Sequence, residues 1–500
     1  MRASVLSDWL AQRLDRGNGQ PIYRQLHRLL QQAILSRELP AGTKVPSSRL
    51  LANELGIARN TVTQVYEQLA LEGYVTSTTG RGTFVADSAP DEIVGAPDAA
   101  APAAAAPQPL SVRRALSTRG ARLIAGAGVS KRQWGAFMPG VPDVSKFPAR
   151  VWSRLHTKYW RRLRPDLLTY APGGGLALLR HALADYLRTS RSVRCTPEQI
   201  IITTGIHQSV DLAVRLLSDP GDVIWTEDPC YWGVRSVLHV SGLQSRPIAV
   251  DAEGINPSAE DLAQPPKLML VTPSHQYPLG MVMSLARRRM LLEYARQHQC
   301  WIIEDDYDSE FRYGSRPLAS LQGLDTAGQV IYVGSFGKTL FPGLRIGYIV
   351  VPEALAESFA TASAELYREG QLLQQAVLAE FIAEGHFASH IRKMRTLYGQ
   401  RRQTVLDAAA RRYGDALPAV GGDAGLHLVM QLPEGADDRA VAAAALERNI
   451  VVRALSGYYA QPQRAPSGLL IGYACVPDEE IAPAFNTLAD AIDATLLQFA

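Results

Sequence analysis

Hydrophobic positions near the start of the chain repeat with a helical period. Ile22, Leu26, Leu29, Leu30, Ala33 and Ile34 fall at offsets 0, 4, 7, 8, 11 and 12. That is one face of a helix with Pro21 at its first position, stopped by Pro40-Ala-Gly42. Ser47 is placed to cap a second helix, Ser48 to Leu55, closed by Gly56. Val62, Val65, Tyr66 and Leu69 predict a third helix ending near Gly73. Two β-type runs, 74–77 and 83–85, follow across a Gly-rich turn. Three helices and a hairpin predict a winged helix-turn-helix over residues 20–86. The amphipathic lead before residue 20 has no role assigned by its pattern.

The pattern changes class further on. Apolar runs at 200–203, 223–226, 268–272, 301–303, 330–333 and 346–351 alternate with helix-length segments. Such runs predict an α/β domain over 133–500, a parallel or mixed sheet with helices on both faces and ligands at the strand ends. From about Ala354 the chain is helix-rich and then turns to strands at 427–430 and 469–473, a smaller α+β lobe. Between the two domains, residues 87–132 open with an Ala/Pro tract too poor in apolar bulk to pack, which predicts a semi-flexible linker.

Composition narrows the class. Hydrophobic content of 47% and charged content of 20% are those of a soluble globular chain. No apolar run approaches the ~18 residues of a membrane span, and the N-terminus lacks a signal-peptide pattern, so a cytoplasmic protein is expected. The four cysteines are far apart with no Cys-x-x-Cys, so neither a metal site nor a disulfide framework is expected. Net charge is +3, with the positive excess in the first 86 residues, a pointer to a polyanion partner there.

Four loops carry candidate chemistry. Lys338 sits in the Gly/Pro turn Ser335-Phe-Gly-Lys338, seven residues before Arg345. A lysine forms an imine with an aldehyde cofactor, while a hydroxyl and a guanidinium hold a phosphate. Thr204-Gly-Ile-His-Gln208 follows a strand and opens a helix, whose free N–H groups cup a phosphate. Tyr231 ends Glu227-Asp-Pro-Cys-Tyr231 at a loop position suited to stacking on a pyridine ring. Glu304-Asp-Asp-Tyr-Asp308 closes a strand with carboxylates, one of which keeps a pyridine nitrogen protonated.

The N-terminal strings resemble the GntR-type DNA-binding domain: Pro46-Ser-Ser-Arg49, Gly56-Ile-Ala-Arg-Asn-Thr-Val62 and Gly80-Arg-Gly-Thr-Phe84. The resemblance implies double-stranded DNA as partner, with Arg49, Arg59, Asn60, Thr61 and Thr63 facing it and Gly80 and Arg81 in the wing. Ala58 stands where Ser or Thr is expected to cap the recognition helix.

The downstream loops, as a set over about residues 134–500, resemble a fold type I aminotransferase. The resemblance implies pyridoxal 5'-phosphate, Lys338 as its Schiff-base lysine and Asp305 as partner of the pyridine nitrogen. Tyr307 would reach the phenolic oxygen, Tyr231 would stack on the ring, and Gly205, Ile206, Ser335 and Arg345 would bind phosphate. Tyr170 matches a tyrosine lent to the neighbouring subunit, which implies a homodimer. Tyr307 lies one residue closer to Asp305 than the usual pattern, so Asp306 competes for the ring nitrogen. The usual Asn-Pro-x-Gly is Tyr277-Pro-Leu-Gly280, with His275 or Gln276 as stand-ins, and the arginine that binds a substrate carboxylate is missing from Leu469-Leu-Ile-Gly-Tyr473, with Arg453 as substitute.

The fusion resembles the MocR subfamily of transcription regulators. The expectation is a DNA-binding regulator that senses the cofactor, or an amine or amino-acid effector, through Lys338 without net turnover. The alternative is a working aminotransferase with a DNA-binding domain attached.

Overall fold

Leu26, Leu30, Ala33 and Ile34, spaced for one helix face, are buried together with Leu51, Leu55, Val62, Val65 and Leu69 in one hydrophobic cluster. In the computed structural model, residues 3–17, 19–78, 81–87, 116–125, 128, 132–162, 164–171, 173–314, 319–368 and 371–497 are described. They divide into two compact units, Met1–Ala115 and Leu116–Ala500. Gly80 and the whole Ala/Pro tract lie outside the described residues.

The first unit contains α1 (Ala3–Arg13), α2 (Ile22–Leu35), α3 (Ser48–Leu55), α4 (Arg59–Leu71), β1 (Val75–Thr78) and β2 (Gly82–Val85). The amphipathic lead, unassigned from pattern alone, is α1: Leu6 and Leu10 are buried in the shared core. Pro21 is the N-cap of α2 rather than its first helical residue. Ser47 Oγ accepts from Leu50 N–H at 3.2 Å and Gly56 ends α3 with φ 60°. α4 has no side-chain cap at Ala58.

The second unit opens earlier than the linker expectation, with a helix at Thr118–Ala125. Its main sheet holds β3 (Ile200–Thr203), β4 (Val223–Asp228), β5 (Gln244–Asp251), β6 (Gly254–Ile255), β7 (Leu268–Val271), β8 (Trp301–Asp306), β9 (Val330–Ser335) and β10 (Gly347–Val350). The order is β3-β10-β9-β8-β7-β4-β5-β6. Strands β9, β8, β7, β4 and β5 are parallel neighbours, while β10 runs antiparallel to both β3 and β9. Strand β5 has only a short apolar run, Ile248-Ala-Val250, after Arg246-Pro247, and lies near the sheet edge, where a missing N–H is tolerated. A second, antiparallel sheet of β11 (Ala419–Val420), β12 (His427–Gln431), β13 (Arg453–Ala454) and β14 (Gly468–Gly472), ordered β11-β12-β14-β13, forms the C-terminal lobe. No described helix is long and apolar enough to cross a membrane.

Candidate cofactor site and DNA-binding surface

The C-terminal ends of the parallel strands surround a cavity of about 330 Å³, and Lys338, Asp305, Tyr307, Tyr231, Gly205, Ile206, Ser335 and Arg345 all line it. Strand β9 delivers Ser335, whose Oγ accepts from Gly337 N–H at 3.1 Å and tightens the turn that carries Lys338. Lys338 Nζ donates to the Gly140 carbonyl at 2.7 Å. Gly140 is required there: its φ is +69°, and a Cβ would stand 2.8 Å from Nζ. Burial lowers the pKa of the Lys338 ammonium, against Asp308 and then Asp305, which raise it.

Strand β3 leads through Thr204-Gly205 into the helix Ile206–Leu217. Gly205 adopts φ 124°, and Gly347, which pairs with Thr203 across the sheet, leaves room for it: a Cβ on Gly347 would be 2.7 Å from Gly205 Cα. The first-turn N–H groups of that helix have no intrahelical acceptors. Arg345 stands at the same mouth with φ 51° and makes no ion pair among the described residues.

The pleat of β8 separates its acids. Asp305 lines the cavity, and burial first, then Asp306, Asp308 and Glu227, push its carboxyl up to about 8 against Lys338. Asp306 accepts from Arg191 Nε at 2.7 Å and from the Tyr332 hydroxyl on the other side. Glu304, on that side too, accepts from the N–H groups of Leu321 and Gln322 at 2.8 Å each.

Among the other lining residues are Gln133, and His207 and Tyr277, to which the sequence assigns no role at the cofactor. His207 stacks on Tyr231 with centroids 5.7 Å apart, and burial lowers its pKa. Tyr277 stands edge-on to both Tyr231 and Tyr307, at 5.8 and 5.5 Å. Both were within strings already read as chemical, but only the folded loops show which side chains turn inward.

The remaining expected residues are not on the cavity wall. Gln276 is buried and its amide donates to the carbonyl of Pro229 at 2.8 Å, holding two loops together. His275 is buried behind Tyr307 and contacts its hydroxyl at 2.8 Å. Arg453 reaches the Met138 sulfur at 3.7 Å and acts electrostatically on Tyr277 and Tyr458. Tyr170 is 75% exposed, with the Arg368 guanidinium 5.9 Å from its ring centroid.

In the first unit, Val62, Val65, Tyr66 and Leu69 are buried on α4, Asn60 points away from them, and Arg59 is exposed because it stands in the first turn. Arg49, Arg59, Asn60 and Arg81 are exposed, and Thr61 and Thr63 half-buried. Arg59 Nε lies 3.5 Å from Ser48 Oγ, which joins the start of α4 to the start of α3.

Residues 22–85 match the family of bacterial regulatory proteins of the gntR type, and residues 144–488 match aminotransferase class I and II. A probable rhizopine catabolism regulatory protein, MocR, of Rhizobium meliloti is 39% identical over 96% of this chain and 95% of its own length. The chain belongs to the MocR-type GntR regulators. The pyridoxine biosynthesis transcriptional regulator PdxR of Corynebacterium glutamicum is also similar, 30% identical over 94% of each protein. Among solved structures, the α-aminoadipate aminotransferase LysN of Thermus thermophilus, complexed with N-(5'-phosphopyridoxyl)-L-leucine, has a TM-score of 0.70 and 26% identity. That match covers 78% of this chain and 100% of LysN. MocR-type regulators are pyridoxal phosphate-dependent transcription regulators that bind DNA, and the working-aminotransferase alternative is not favoured.

The cavity of this MocR-type regulator fits that cofactor. It offers a half-buried lysine, a buried acid, an aromatic side chain, and a phosphate mouth of helix N–H groups, a serine and an arginine with no ion pair among the described residues.

Proposed function

We propose that this MocR-type regulator acts in the cytoplasm as a homodimer that reports a small amine or amino acid to promoter DNA through Lys338. The observation that carries the reading is the meeting of Lys338 and Asp305 in one cavity whose mouth holds Arg345, Ser335, Gly205 and Ile206. When bound, pyridoxal phosphate supplies an electrophilic aldehyde carbon and an electron-withdrawing ring.

The chain's own residues do the rest. Burial lowers the pKa of Lys338, so that its amine is more readily freed of its proton, and the Gly140 carbonyl orients it. Asp305 would hold a proton at the ring nitrogen, Tyr231 would stack on the ring, and Tyr307 would donate to the phenolic oxygen. Gly205, Ile206, Ser335 and Arg345 hold the phosphate, and the exposed Tyr170 reaches the phosphate site of the second subunit. Arg453, near Tyr277, meets the carboxylate of an amino-acid effector. In the first unit, Arg59, Asn60, Thr61 and Thr63 enter the major groove with Arg49 beside them, and Arg81 follows the wing.

An effector that favours one arrangement of the protein over another shifts DNA affinity by that difference. The test is spectroscopic. The protein with pyridoxal phosphate shows a visible band, Lys338→Ala abolishes it, and amines perturb it without net turnover of a keto acid. Sustained amino-group transfer to a keto acid would overturn the regulator-only reading.

A further inference from the structure

Tyr307 is backed by a buried pair that the cofactor reading leaves unused. His275 Nδ1 lies 2.8 Å from the Tyr307 hydroxyl and 3.1 Å from Asp308 Oδ1. A carboxylate only accepts, so the shared nitrogen carries the proton and donates to both oxygens. The hydroxyl hydrogen of Tyr307 is then left for the cavity. His275 and Asp308 are 2% and 1% exposed, so water does not replace either partner. Among the described residues His275 Nε2 is buried without a hydrogen-bond partner, and so is Nδ1 of His427, whose Nε2 donates to the Pro278 carbonyl at 2.9 Å. The two rings are 5.5 Å apart.

The other side of this pair belongs to the C-terminal lobe. A Cβ on Gly425 would stand 2.3 Å from His275 Cε1 and 2.5 Å from Asp308 Oδ2, at φ +76°. Gly425 N–H donates to the Phe311 carbonyl at 2.7 Å, and its own carbonyl accepts from the Tyr313 and Tyr473 hydroxyls at 2.7 and 2.8 Å. Arg312 and Ala424 form a β-bridge. The chain just past Asp308 is therefore stitched to the chain just before β12, with the imidazole between. Atoms packed this closely transmit displacement rather than absorb it.

We propose that His275 is a positioning residue that aims Tyr307 at the group bound beside Lys338 and couples its protonation to the seating of the C-terminal lobe through Gly425 and His427. This rests on the cofactor reading above. The charged and titratable groups around the imidazole are Asp308 and Tyr307, His427 from the lobe and Arg312, which donates to the Ser274 carbonyl at 3.1 Å and acts on Asp308, with Lys338, Asp305 and Tyr277 beyond them. Losing the imidazole weakens donation from Tyr307 and makes the phenolic oxygen easier to protonate.

The experiment is an absorbance pH titration of the full chain loaded with pyridoxal phosphate. His275→Phe is expected to keep the band and move its pH midpoint upward by about 1 unit. His275→Gln, which retains an N–H donor, is expected to restore most of the shift. Hydrogen exchange over 423–430 is expected to slow on cofactor binding in the natural protein and not in His275→Phe. An unmoved midpoint in His275→Phe overturns the positioning role, and equal slowing in both proteins overturns the coupling to the lobe. If His275→Phe fails to fold, His275→Leu decides by the same midpoint, an upward shift supporting the proposal and no shift overturning it. Absence of any band in the natural protein would instead defeat the cofactor reading on which the proposal stands.

Discussion

Asp305 and Asp306 are neighbours on β8 and face opposite sides of it, one into the cavity and the other onto Arg191, 2.7 Å away. Two carboxylates that the chain leaves equivalent are thereby divided between binding and structure.

Removing the charge from each separates those roles. Asp305→Asn is expected to fold and to lose affinity for pyridoxal phosphate in a spectral titration. Asp306→Asn leaves the Arg191 guanidinium buried without its carboxylate, and urea unfolding should show a loss of ~3–5 kcal/mol. Equal effects of the two changes on both measurements would reject the division.

The same carboxyl gives a pH signature. Burial, with Asp306, Asp308 and Glu227 adding, pushes Asp305 up to about 8 in the cofactor-free fold. The unfolded chain titrates near ~4. A group raised on folding keeps its proton in the native state, so its contribution is fully present below about pH 4 and lost as pH rises through about 8. Calorimetry of the cofactor-free protein should show stability falling over that window, less steeply in Asp305→Asn. A parallel fall in both proteins would assign the effect to other groups.

Arg59 is exposed at the start of α4, and its removal costs no core contact. Arg59→Ala should weaken operator binding by ~1–3 kcal/mol while the thermal melt stays unchanged. Fluorescence anisotropy at fixed salt measures it, and unchanged binding would remove Arg59 from the interface.

Ala58 has the extended N-cap conformation, φ −65° and ψ 136°, but no side-chain oxygen. Ala58→Ser should stabilise the first unit by ~0.5–2 kcal/mol, read as a higher denaturation midpoint. No change would mean that the Thr61 N–H, already 3.0 Å from the Ala58 carbonyl, needs no further acceptor.

Much of this protein was legible before folding. Local hydrophobic period and capping chemistry set α3 at Ser48–Leu55 and the main parallel strands, because those signals lie within a few residues of one another. The turn holding Lys338 and the family-like strings around it named eight of the residues lining the cavity. Tertiary structure decided the rest. The lead helix α1 has meaning only through the core it covers, and β5, with a proline inside it, is a strand because β4 supplies its partner. The pleat of β8 chose between Asp305 and Asp306, and the Pro229 carbonyl engages the Gln276 amide away from the cavity wall. His275 gained its place from Asp308, 33 residues away, and from Gly425 in another lobe. Which polar side chains meet across such separations depends on close packing in three dimensions, and no local pattern along the chain carries it.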